Sequence, residues 1–134
     1  VGKARTGTKP PQVTLDAGAL IAIDRGDRRM IALLDQVVTQ GGCFHVPAGV
    51  LGQAWRDGRR QAVLARFVRA TEVRIIALDD SLSRACGELL AATDGRDVID
   101  ASVVIVARRT RDPIFTTDIE DLARLDPSAS LIKV

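Results

Sequence analysis

From Val13 onward, short apolar runs alternate with longer segments of helical periodicity, and this alternation constrains the fold more than any other feature of the chain. Parallel strands cannot be joined by a tight turn; each pair needs a crossover, usually a helix that packs back on the sheet. Strands are expected at Val13–Leu15, Cys43–Val46, Val73–Leu78, Ile114–Thr116 and Ser130–Val134. Helices are expected at Ala17–Asp24, at Arg28–Thr39 ahead of Gly41-Gly42, from Pro47 to a break at Gly58, and at Arg59–Ala70. Others follow from Asp79 or Asp80 to about Thr93, at Asp97–Arg109 and at Ile119–Leu125. Pro47 stands where proline is tolerated, in the first turn, and Asp79 or Asp80 supplies an N-cap. Ala101–Ala107 is almost wholly apolar, so that helix is expected to be buried on most sides. The pattern describes an α/β domain whose parallel sheet is covered on both faces.

The chain of 134 residues is long enough for one domain with a real core, expected over 13–134. Residues 1–12 are rich in Gly, Thr, Lys and Pro and read as a flexible N-terminal arm. Aromatics make up only 3% of the residues, so aliphatic side chains must build the core. The same scarcity disfavours readers that stack bases on aromatic platforms. Cys43 and Cys86 lack metal-ligand spacing and are read as buried free thiols in a reducing cytoplasm. Neither a signal peptide nor a membrane-length apolar run is recognisable. The net charge of +2 does not define a nucleic-acid binder, but Arg56, Arg59, Arg60, Arg66 and Arg69 crowd into one stretch. Guanidinium forks match phosphate geometry, although such a run is equally a solvated helix face.

The acids carry the chemistry. Asp16 stands just past the first strand and Asp118 just past the fourth. Ligands of open α/β sheets bind at the carboxyl ends of strands, where strand order reverses. If those two strands are neighbours, the carboxylates face one another, and Asp100, in the first turn of the apolar helix, can point into the same crevice. Gathered carboxylates repel and require a neutralising partner. Hard oxygens suit Mg²⁺ or Mn²⁺, which polarise a phosphoryl oxygen and acidify bound water. Each acid also has a local reading: Asp16, Asp97 and Asp118 as helix caps, Asp100 as a first-turn charge, Asp121 as surface. His45 reads as a strand or core histidine and Trp55 as a packing residue. No glycine-rich phosphate loop and no serine-hydrolase motif is present.

Four segments in order, VTLDAGALIAI, VPAGVLGQAWR, DASVVIVARR and IFTTDIEDL, resemble the PIN-domain family and, within it, the VapC-type toxin ribonucleases. The resemblance runs from Val13 to the end. It implies a three-layer α/β/α sandwich with strand order 3-2-1-4-5. It also implies a Mg²⁺- or Mn²⁺-dependent endoribonuclease acting on tRNA, rRNA or mRNA, a homodimer, and a VapB-like antitoxin partner. Asp16, Asp100 and Asp118 match the family's metal-binding acids. Asp97, Thr116, Thr117 and Asp121 fall where supporting residues are expected. The chain departs from the family at Gln53, where a Glu is usual. A Gln carbonyl can ligate a hard cation but lacks the charge, and Asp57, one helical turn on, is a candidate substitute.

The expected function is therefore metal-dependent RNA cleavage. Asp16, Asp100 and Asp118 hold the ion, Gln53 orients water, and Arg56, Arg59 and Arg60 meet the RNA backbone. A rival from another class is a catalytically weakened module that binds RNA or antitoxin. A phospho-accepting receiver domain is disfavoured, because Asp16 stands alone after the first strand and Lys133 is nearly terminal.

Overall fold

In the computed structural model, which describes residues 9–134, five strands alternate with seven helices. The strands are β1 (Gln12–Leu15), β2 (Cys43–Pro47), β3 (Val73–Ile76), β4 (Ile114–Thr116) and β5 (Leu131–Lys133). The helices are α1 (Ala17–Asp24), α2 (Arg28–Thr39), α3 (Ala48–Ala54), α4 (Ala62–Arg69), α5 (Asp80–Thr93), α6 (Val98–Thr110) and α7 (Ile119–Leu125). All strand pairs are parallel, in the order β3-β2-β1-β4-β5. The α/β/α layering and the strand order are those that the resemblance to the PIN-domain family implies. The arm expected over 1–12 falls mainly on residues 1–8, outside the described residues, and Gln12 already belongs to β1.

Helix ends follow their side chains. Asp27 caps α2 by accepting from the Met30 amide, and Asp79 caps α5 through Leu82. Gly41 carries a φ of 77° just past α2, a conformation open to glycine without steric penalty. Helices α2, α3 and α4 gather around α1, while α5, α6 and α7 pack on one another. Every residue from Ala101 to Ala107 of α6 is buried. Phe44 of β2 meets Phe67 of α4 with ring centroids 5.4 Å apart.

Four local expectations are corrected. The helix from Pro47 ends at Ala54, not at Gly58, and α4 begins at Ala62, not at Arg59. The Gln61 side chain explains both: it donates to Ala54 O and accepts from the amides of Arg56 and Asp57, so residues 55–61 form a turn. Strand β3 stops at Ile76, leaving Ala77 and Leu78 outside it and exposed. Of the two free thiols, Cys86 is buried, but Cys43 is only half-buried.

At the amino end of β4 lies a buried polar cluster. His45 Nδ1 is 2.8 Å from Asp112 Oδ2, and the Thr14 hydroxyl donates to the same oxygen at 2.9 Å. The register explains the meeting, because Thr14 pairs with both His45 and Ile114. His45 is thus a core histidine.

Candidate metal centre

Sequence order reverses at β1: β2 and β3 extend to one side of it, β4 and β5 to the other. A crevice of about 260 Å³ opens where β1 and β4 end, and the first turn of α6 closes its side. Asp16, Asp100, Asp118 and Asp121 line it, with Asp97, Gln53 and Thr117. The carboxylates of Asp100, Asp118 and Asp121 offer oxygens within 4.8 Å of one another.

Three of these acids, Asp16, Asp97 and Asp118, are fixed by the helices they cap. Asp16 Oδ1 accepts from the Ala19 amide at 2.9 Å, and Asp97 caps α6 by accepting from Asp100 N at 2.9 Å. Asp118 caps α7 through the Asp121 amide at 3.3 Å. Capping and convergence are therefore compatible roles, since a carboxylate has lone pairs for both. Asp16 Oδ2 accepts the Thr116 hydroxyl proton, and Thr116 Oγ1 accepts from Asp118 N at 2.7 Å. Buried Thr116 thus ties the end of β1 to the end of β4. Thr117 is exposed at the crevice, and its hydroxyl would stand 1.8 Å from any Cβ placed on Gly18. Glycine at this position lets the first turn of α1 pack against the Thr117 side chain.

The electrostatics are those of crowded acids. Burial, then the charges of Asp97, Asp118, Asp121 and Asp16, push the Asp100 carboxyl up to about 6. Burial raises Asp16 as well, against the hydrogen bonds from Thr116 and the α1 amides. Asp118 is raised by burial, by its carboxyl hydrogen bond with Asp121, and by neighbouring charge. Hard oxygen donors in this arrangement fit a divalent cation of the Mg²⁺ or Mn²⁺ kind.

Comparison with solved structures reports on the fold. VapC20 of Mycobacterium tuberculosis, a sarcin–ricin loop cleaving toxin, superposes with a TM-score of 0.60 at 21% identity, covering 81% of this chain and 93% of that one. VapBC2 from Rickettsia felis, bound to a promoter DNA fragment, gives 0.69 at 16% identity, over 92% and 98% of the chains. A toxin–antitoxin complex from Klebsiella pneumoniae gives 0.68 at 14% identity, over 90% and 95%. The fold is the PIN fold. No family model and no curated protein matches the chain in sequence. The PIN fold here includes no helix, among the described residues, long and apolar enough to cross a membrane.

Placement of the expected residues on the PIN fold is uneven. Asp16, Gln53, Asp97, Asp100, Thr117, Asp118 and Asp121 meet at the crevice, and Thr116 lies buried behind Asp16. Asp121, expected only to support the site, sits inside the carboxylate cluster. Asp57 does not line the crevice. With α3 ending at Ala54 it is not a helical turn beyond Gln53; it accepts from Arg59 N at 2.9 Å and pairs with Arg59 and Arg60 at 3.8 Å. Arg56, Arg59 and Arg60 are exposed and likewise line no part of it, the Arg56 guanidinium donating to Gly52 O and Trp55 O. Two arginines unmarked by the sequence reading, Arg96 and Arg124, lie closer to the acids, in an adjoining groove. Trp55 is 36% exposed and lines an apolar pocket with Leu51 and Val68.

Proposed function

We propose that the protein is a Mg²⁺- or Mn²⁺-dependent endoribonuclease, the toxin half of a toxin–antitoxin pair. The carrying observation is the convergence of Asp100, Asp118 and Asp121, with Asp16 beside them, at the switch point of a PIN fold. A divalent cation there supplies Lewis-acid stabilisation of charge developing on the phosphoryl oxygens. Asp16, Asp100, Asp118 and Asp121 hold it, and Thr116 keeps Asp16 aimed at the crevice. Gln53, exposed at the crevice, orients the attacking water through its amide. Structural neighbours of the fold include a sarcin–ricin loop cleaving toxin and toxin–antitoxin complexes, which supports an RNA substrate and a VapB-like antitoxin. Homodimerisation and a cytoplasmic setting complete the proposal. Gln53 is the specific observation favouring a second reading, a weakened module that binds RNA or antitoxin without cutting.

A Gln53→Glu variant, assayed beside wild type for cleavage of single-stranded RNA as Mn²⁺ is titrated, separates the two. The substitution keeps size and adds one carboxylate to a partly enclosed site, where charge is screened less than in water. Mn²⁺ affinity is expected to rise about tenfold, equivalent to about 1.4 kcal/mol. Wild-type cleavage that appears with Mn²⁺ and vanishes with chelator supports the nuclease. Cleavage only in the variant supports the weakened module. Unchanged Mn²⁺ affinity in the variant would remove Gln53 from the site.

A further inference from the structure

A second groove, of about 300 Å³, adjoins the acid crevice and shares Asp97, Asp100 and Asp121 with it. Its outer side carries two arginines, Arg96 from the turn before α6 and Arg124 from α7. Arg124 Nη1 donates to Asp121 Oδ1 at 2.7 Å while the side chain stays 72% exposed. Asp121 is also one of the three clustered carboxylates, so Arg124 neutralises an acid that a divalent cation would draw on. Arg96 is exposed and makes no ion pair among the described residues.

We infer that Arg96 and Arg124 form a phosphate subsite for single-stranded RNA beside the metal centre, Arg124 exchanging Asp121 for the RNA phosphate once a cation engages the acids. The inference rests on the nuclease reading and adds the path the strand takes. Guanidinium forks bind phosphate through paired, charge-assisted hydrogen bonds. Asp94, Asp97, Asp100 and Asp121 outnumber the two arginines along this groove, so a phosphodiester is repelled until a divalent charge is present. Metal therefore binds before RNA. Arg56, Arg59 and Arg60 do not compete for this role, because they line neither the acid crevice nor this groove.

The subsite gives two effects of opposite sign. Arg124→Ala removes a cation that competes for Asp121, so Mn²⁺ should bind several-fold more tightly. Arg96→Ala combined with Arg124→Ala should weaken RNA binding in Mn²⁺ by roughly tenfold or more, as expected for a lost charge-assisted contact. It should also flatten the dependence of log affinity on log salt by about one unit. Anisotropy of a short labelled RNA, with phosphorothioate linkages to slow cutting, reads both, and calorimetry reads Mn²⁺. Circular dichroism melts check that the variants are folded, and Arg96→Ala alone repeats the RNA test without touching Asp121. Wild type that binds RNA in Mn²⁺, with a double variant of equal affinity and salt slope, overturns the subsite and spares the nuclease. Wild type that neither binds nor cuts RNA overturns both.

Discussion

Replacing Asp100 with asparagine should abolish metal-dependent cleavage and, at neutral pH, raise the melting temperature of the metal-free protein. Loss of a ligand should weaken Mn²⁺ binding by at least on the order of a hundredfold, since even outer contacts of metal sites are worth 10–100-fold. The stability effect has the opposite sign because the carboxyl is held up to about 6 against an ordinary 3.8. Between those values the folded state binds more protons than the unfolded chain, so stability falls as pH rises. Above about pH 6 the whole penalty of an ionised, crowded Asp100 is present. Asparagine does not ionise, so the gain should be full at pH 7 and gone near pH 4. Melting curves across that range, without metal, read it directly. An Asp100→Asn protein that melts below wild type at pH 7 would mean that neither burial nor the neighbouring acids penalise the ionised carboxylate.

The largest stability loss is expected far from the crevice. His45→Ala should destabilise the domain by about 3 kcal/mol or more, the usual result of leaving one member of a buried pair alone. For a domain of this size that corresponds to a fall of roughly 10 °C in Tm. Asp112 is 7% exposed, and its Oδ1 has no hydrogen-bond partner among the described residues, so Oδ2 carries all of its compensation from His45 and Thr14. Asp112→Asn should cost less, because the amide oxygen still accepts from both donors. Urea denaturation of the two variants gives the ranking. A His45→Ala midpoint equal to wild type would show that solvent reaches Asp112 freely.

The parts of this molecule that were legible beforehand are the parts that depend on local pattern. Apolar runs broken by glycine and capping aspartates located each strand and helix, and the apolar stretch after Asp100 marked the buried helix. The acids at the ends of β1 and β4 were legible for a related reason, because a capping position at a strand's carboxyl end is a fixed place in the fold. What stayed hidden depends on side chains meeting across the chain. Gln61 reaches back to Ala54 and ends α3 early, which removes Asp57 from the helix it was expected to share with Gln53. Asp112 gave no sign of its partners, which come from β1 and β2. Asp121 was legible only as a surface or supporting acid, because its position three residues past Asp118 fits a plain first-turn charge as well as a ligand.

The most direct test is to follow Mn²⁺ binding and RNA cleavage together as the ion is titrated into chelator-stripped protein. If the acids at the switch point hold the ion that cleavage needs, rate and occupancy will rise in parallel, and Asp100→Asn will lose both. Full cleavage in excess chelator, or Mn²⁺ binding untouched by Asp100→Asn, would contradict it.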